Sequence, residues 1–350
     1  MAVDLRDIVS KRAIEIEELN GKSIAIDAYN VFYQFLSIIR QPDGTPLMDD
    51  KGSITSHLSG LFYRNTELIS KGITPIYVFD GLPSVLKQKT INARMQRKRE
   101  AQAAWKEAVE KGDIEAARAK AQQTVRMTKE IVESGKALLG LMGIPCINAP
   151  SEGEAQASHM CAQGQVYAVG SQDYDTMLFG APAVVRNLTI SGKRKLPGKN
   201  VYVNVSTELL NFKDTLEKNG ITHRQLIWTG ILLGTDFNEG VKGVGPKTAL
   251  KIVKSAKKIE DVKAYVKQKY NYEFELDIEE VEHLFMKPEV KDITGQELDS
   301  FSKLWPNKEG IISFMCAMHG FSEDRIEKYT DKLMELKGHS AQKTISNWFK

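Results

Sequence analysis

The sequence predicts an α/β protein built on a mostly parallel, twisted sheet flanked by helices, with a helical insertion over about residues 84–136. Three observations predict it. Short apolar, β-prone runs recur along the chain, namely Ser23-Ile24-Ala25-Ile26, Pro75-Ile76-Tyr77-Val78-Phe79 and Val166-Tyr167-Ala168-Val169, each short enough for a buried strand. Each run gives way to acid: to Asp27, to Asp80, and to Ser171-Gln172-Asp173-Tyr174-Asp175. Functional groups of open α/β sheets gather at the carboxyl ends of parallel strands, so four aspartates from three strand ends point to one cleft.

At 350 residues the chain buries a substantial core, and it reads as one domain through residue 336 followed by a tail over 337–350. No run approaches the ~20 apolar residues of a membrane span, and the N-terminus lacks a signal-peptide pattern. Cys146, Cys161 and Cys316 are widely spaced, match no zinc pattern, and read as reduced core residues of an intracellular protein. The net charge of +3 says little; its distribution says more.

Residues 1–20 read as an amphipathic helix, with Leu5, Ile8 and Val9 on one side, leading into the first strand and Asp27. From Tyr29 to Ile39 a second helix is strongly apolar and aromatic, and most of it belongs in the core. Tyr33, beside the strand-end acids, is the candidate to stack on a nucleobase. Gln41 to Pro46 form a turn, a loop runs through Gly52, and a helix spans Ser56 to Lys71. After Asp80-Gly81 large apolar residues thin out. Lys87, Lys89, Arg94, Arg97, Lys98 and Arg99 arrive together, and Arg94, Arg97 and Lys98 share a helical face. A solvated helix is the plain alternative. Against it, the segment lies between two acid-bearing strands and is too polar to pack on both sides, so it projects beside the cleft. A basic projection over an acidic site suits a polyanion with a scissile phosphate. Residues 137–147 are apolar again and return the chain to the core.

Next comes Ala149-Pro150-Ser151-Glu152-Gly153-Glu154-Ala155. Ser151 and Glu154 also fit a capping box. Glu152 and Glu154 do not share a face of a regular helix, so both act on one site only from an irregular first turn. Asp173 and Asp175 are expected to leave their strand on one side, roughly 6–7 Å apart by period-2 spacing. An aspartate after a strand is commonly a turn former; an acid at every strand end favours a site. Two carboxylates ~4 Å apart repel by ~4 kcal/mol at an effective dielectric near 20. The group must protonate in part or bind hard cations, and oxygen-only ligands favour magnesium or manganese over zinc.

Val184 to Val205 alternate like a hairpin with a basic turn at Gly192-Lys193-Arg194-Lys195. The apolar helix Leu226 to Leu233 ends at Gly234-Thr235-Asp236, which adds a seventh acid. Around Gly243 and Gly245 a tight glycine turn exposes backbone amides, and Pro246 suits the first position of a helix. Free amides there, with Lys242 and Lys247, would hold backbone phosphates of duplex DNA. Residues 256–336 are helical and carry no chemistry that we read. Gly338-His339-Ser340-Ala341 reads as a flexible linker to a tail whose Ile345, Trp348 and Phe349 share one helical face, an anchor for a partner's pocket.

In these motifs the chain resembles the flap endonucleases, structure-specific 5′ nucleases, of archaeal type and nearly end to end. The carriers are Ile26-Asp27-Ala28-Tyr29-Asn30, Tyr77-Val78-Phe79-Asp80-Gly81, Ala149 to Ala155, Ser171 to Asp175 and Leu233-Gly234-Thr235-Asp236. The resemblance implies a PIN-like fold with a helical arch, and hydrolysis of one phosphodiester near the single-strand/duplex junction, as endonuclease and 5′–3′ exonuclease. It implies two Mg2+ ions, with Mn2+ as substitute, held by Asp27, Asp80, Glu152, Glu154, Asp173, Asp175 and Asp236. Lys87 and Arg94 match basic residues that contact the scissile phosphate, and Tyr33 matches an aromatic that stacks near the cut. Residues 240–249, within about 226–256, match a helix–two-turn–helix element that grips duplex and in relatives holds K+. Thr55 lies where relatives receive a one-nucleotide 3′ flap. Gln342-x-x-Ile345-x-x-Trp348-Phe349 is similar to a sliding-clamp motif, although paired Phe is commoner at its end. Relatives often carry Gly at position 2, where this chain has Ala2. The implied protein is a monomer that acts on DNA flaps, away from membranes, in the cytoplasm at the nucleoid, or in the nucleus for a eukaryotic source. Three alternatives stay open: a small-molecule phosphohydrolase, a non-catalytic DNA and clamp scaffold, and a gap or repair-incision nuclease.

Overall fold

The computed structural model describes residues 3–41, 43–87, 95, 99–105, 107, 110–111, 113, 126–189, 192–195 and 202–348. Its main sheet has seven strands: β1 (Ser10–Ile14), β2 (Ser23–Asp27), β3 (Thr74–Phe79), β4 (Cys146–Asn148), β5 (Ala168–Gly170), β6 (Ala183–Arg186) and β9 (Thr207–Asn211). The order is β1-β9-β6-β5-β2-β3-β4, with β6 through β4 mutually parallel and β9 and β1 antiparallel at one edge. β7 (Gly192–Lys195) and β8 (Tyr202–Val205) form a separate two-stranded ribbon.

The parallel strands are apolar on both faces because both are covered. Ile24, Ile26, Tyr77 and Phe79 face a core filled from α1 (Ala28–Ile38), α2 (Ser56–Ser70) and α3 (Lys129–Leu141). Ala25, Ile76 and Val78, one residue out of phase, face a second core containing α4 (Gly153–Ala162) and, beyond the short α5 (Asp175–Leu178) and α6 (Phe212–Asn219), α7 (His223–Leu233). α8 (Pro246–Ser255) packs on α7. No described helix is long and apolar enough to cross a membrane.

Several expectations are corrected here. Residues 1–20 hold no described α-helix: Ser10–Ile14 pair with β9, from Ser10 opposite Asn211 to Ile14 opposite Thr207, and Ile16–Leu19 make one 3-10 turn. Sheet pairing outweighs the helical spacing of Leu5, Ile8 and Val9, which are nonetheless buried. Gly192–Lys195 is a strand rather than a turn; Asn187, at φ 59°, ends β6 and lets the chain start a new ribbon. Residues 129–136 belong to α3, whose Ile131, Val132 and Gly135 are buried against α1 and α2. A final helix, Glu323–Trp348, runs through Gly338–Ala341 where a linker was expected. A single glycine costs a helix only about 1 kcal/mol, and no proline interrupts it.

Candidate active site

From β2 the chain proceeds outward to β3 and β4, then returns to β5 on the other side of β2. That reversal opens a crevice beyond the carboxyl ends of β2 and β5. Asp27 is the last residue of β2 and Asp80 follows β3. Glu152 is the N-cap of α4, just beyond β4. Asp173 and Asp175 follow β5, and Asp236 follows α7. Asp173 and Asp175 are not spaced along a strand, because β5 ends at Gly170 and α5 starts at Asp175.

Local chemistry fixes these positions. Asp27 accepts the Asn30 N–H at 3.0 Å and so caps α1. The Gly153 N–H donates to Asp80 Oδ1 at 2.6 Å, and a Cβ at residue 153 would lie 2.7 Å from that same oxygen. Only glycine lets the α4 N-terminus approach Asp80 so closely. The capping box does not form: Ser151 Oγ donates to the Leu82 carbonyl at 3.3 Å, and Glu154 Oε1 accepts from Ser171 Oγ at 3.0 Å. Glu154 is thereby drawn toward the β5 loop. Asp175 Oδ1 accepts the Val3 N–H at 2.9 Å. The turn carrying Asp236 is held by Asn238, which donates to the Ile231 and Glu239 carbonyls and accepts from Thr235.

The acids feel one another. Burial, then the charges of Asp80 and Asp173, push the Asp27 carboxyl well above the usual range. Burial, then Asp27, Asp173 and Asp175, do the same to Glu154. Asp80 is raised to about 6 by burial and by Glu152 and Asp236, and Asp175 to about 7 by burial and by Asp236. Lys87 enters this field as the counter-charge. Its ammonium donates to Glu152 Oε2, lies 3.9 Å from Asp236 Oδ2, and sits 5.6 Å from the Phe237 ring centre. Burial pulls the Lys87 pKa down, but Glu152, Asp80 and Asp236 outweigh it and hold the ammonium above its ordinary value.

Among the described residues, no three of these side chains are gathered as tightly as the ligands of one bound ion. They form a linked, mutually repelling set of hard oxygens with Lys87 among them, and raised carboxyl pKa values are the mark of a site short of positive charge. That donor set fits divalent cations such as Mg2+.

A stability prediction follows at once. The folded pKa values of Asp80 and Asp175 exceed the ~3.9 of an unfolded aspartate. The native state therefore binds more protons, and stability present at low pH is lost as pH rises from about 4 through about 7. Divalent cation should relieve that loss. Scanning calorimetry in chelator and in Mg2+ should show the metal raising Tm far more at pH 8 than at pH 5. An increment independent of pH would count against a shared carboxylate site.

The remaining candidates lie on other elements or outside the described residues. Tyr33 is half-buried against the α1–α2 core, and Thr55 is buried as the N-cap of α2. Gly243 adopts φ +87° with open space where a side chain would stand, between exposed Lys242 and Lys247, and Gly245 caps α8 ahead of Pro246. Gln342, Ile345 and Trp348 fall on the last helix. Arg94, Arg97, Lys98 and Phe349 lie outside the described residues. Sequence reasoning did not single out Asn30, Ser171, Arg186 or Asn238 as supports of the acids. Asn30 and Ser171 stand within the quoted motifs, which was the only signal available.

Comparison with known proteins bears on the family and the fold. The XPG N-terminal domain family matches residues 1–101, and the XPG I-region family matches residues 143–236. Flap endonuclease 1 of Pyrococcus furiosus is 48% identical, with all of both chains covered, and that of Archaeoglobus fulgidus is 47% identical, again over both whole chains. The solved flap endonuclease-1 of Methanococcus jannaschii superposes with a TM-score of 0.74 at 41% identity, over 97% of this chain and 99% of its own. The catalytic core of Rad2, solved in complex with DNA substrate, shares the fold at a TM-score of 0.67 and 24% identity, over 95% of this chain and all of its own.

Proposed function

Because this chain belongs to the flap endonuclease family, we propose that it is a structure-specific nuclease that hydrolyses one phosphodiester near the junction of a 5′ flap with duplex DNA. The observation that carries the reading is the convergence of buried and half-buried carboxylates that raise one another at the switch point of the sheet.

Asp27, Asp80, Glu152, Glu154, Asp173, Asp175 and Asp236 are the residues that would hold two Mg2+ ions. Bound ions of this kind activate an attacking water and offset charge on the leaving oxygen. The chain's own residues bind, orient and shield. Lys87, the cation already seated among the acids, turns from Glu152 toward the scissile phosphate, where a fixed positive charge lowers the barrier most. Arg94 adds a second positive charge from the insertion, and Tyr33 stacks on a base beside the cut. Arg97 and Lys98 steady the flap strand, and Thr55 lies near a 3′ flap. Lys242, Gly243, Gly245 and Lys247 hold phosphates of the downstream duplex through exposed amides and charge, and the turn is the place we assign to K+. Recognition through backbone and shape selects structure over sequence.

A 5′-labelled double-flap duplex tests the proposal. Cutting at one position near the junction with Mg2+, and none in chelator, is the expected result; intact substrate in both would sink it. The tail is a separate matter. Gln342, Ile345, Trp348 and Phe349 are proposed to dock on a sliding clamp while the enzyme works as a monomer. Removing residues 340–350 should leave unassisted cutting unchanged and abolish stimulation by the clamp. A truncated enzyme that still responds to the clamp would remove the tail's role.

A further inference from the structure

The loop Ser171–Tyr174 carries Asp173 between β5 and α5, and side chains from two distant segments hold it from either side. Asn30, in the first turn of α1, accepts the Gln172 N–H through Oδ1 at 3.2 Å and donates from Nδ2 to Asp173 Oδ2 at 2.8 Å. Arg186, at the end of β6, donates from Nε to the Gln172 carbonyl at 3.1 Å. Its guanidinium lies 4.2 Å from the centre of the Tyr174 ring, donates to the Tyr174 hydroxyl, and reaches Glu208 Oε2 at 3.3 Å. Both backbone polar groups of Gln172 are thus taken by side chains remote in sequence. Ser171 Oγ completes the hold by accepting the Asp173 N–H at 3.2 Å.

We propose that Asn30 and Arg186 are positioning residues, a two-sided clamp that presets the Asp173 carboxylate to receive a divalent cation. This rests on the reading of Asp173 as a metal ligand. The repulsion from Asp27 and Glu154 would otherwise swing Asp173 away, since charge crowding alone favours spreading the acids. Asn30 opposes that by bonding the carboxylate itself, and Arg186 by anchoring the Gln172 carbonyl on one side of it and the Tyr174 side chain on the other. The arginine acts through geometry: three acceptors on three residues are met by one planar fork, which a lysine of equal charge does not reproduce.

Three variants test the clamp: Asn30→Leu, Asn30→Asp, which keeps the acceptor for Gln172 but removes the donor to Asp173, and Arg186→Lys. Mn2+ binding to the DNA-free protein is read by electron paramagnetic resonance, with amide exchange at Gln172 in chelator and kcat and KM on a flap substrate. Outer supports of metal ligands are worth ~10–100-fold in affinity, and a loss of that size is expected in all three. Amide exchange at Gln172 should quicken in Asn30→Leu and Arg186→Lys, and kcat should fall with KM for DNA unchanged. Wild-type Mn2+ binding in Arg186→Lys would show that charge alone matters and overturn the proposal, as would wild-type binding in both Asn30 variants. Asp173→Ala serves as control: were it to bind Mn2+ like wild type, the metal reading would have failed and the clamp's purpose with it.

Discussion

Replacing Asp173 by alanine is expected to lower single-turnover cleavage of a flap substrate by roughly 10³-fold or more, the several kcal/mol that a displaced metal ion supplies to a transition state. DNA affinity in chelator should be unchanged or slightly higher. The two effects have opposite signs for one reason. Asp173 adds negative charge to a crevice where Asp27 and Glu154 are already raised, and a polyanionic substrate meets less repulsion once it is gone. The same relief should raise the Tm of the metal-free protein at pH 8. Anisotropy with a labelled flap, beside the cleavage assay, separates the effects. A parallel loss of binding and cutting would mean that Asp173 shapes the fold and not the chemistry.

Lys87→Ala is expected to reduce kcat by ~10²–10³-fold, the typical loss of one preorganised charge at a reacting centre, with little change in KM for DNA. It also predicts a shift with a definite sign. Lys87 lowers the carboxyl pKa values of Asp27, Asp80 and Glu154, so its removal raises them. Protons then compete with metal up to higher pH, and the acid limb of the pH–rate profile at fixed Mg2+ should move toward alkaline values. A lower rate with an unmoved limb would place Lys87 outside the acid cluster in the working enzyme.

The sheet's parallel part was readable because each strand carries its own signature. Ile24 and Ile26 alternate with Ala25, and Tyr77 and Phe79 with Ile76 and Val78, so periodicity of two survives even where both faces are buried. Asp27 and Asp80 were readable for the same reason: strand ends are local features. What escaped depends on partners far along the chain. Ser10–Ile14 becomes a strand only because Thr207–Asn211 lies beside it. The pattern Ser151-x-x-Glu154 satisfies a local rule, yet Ser171 and Leu82, both distant, claim its two side chains. Asn30 and Arg186 are ordinary residues until the fold brings Gln172 between them.

The seven acids come from segments as far apart as Asp27 and Asp236, bridged by no disulfide among the described residues. An ion engaging several of them would be a reversible cross-link between segments far apart in sequence, closing long loops of the chain. Catalytic readiness and resistance to unravelling therefore draw on the same atoms. A cell starved of divalent cation would hold an enzyme both idle and easier for proteases to open.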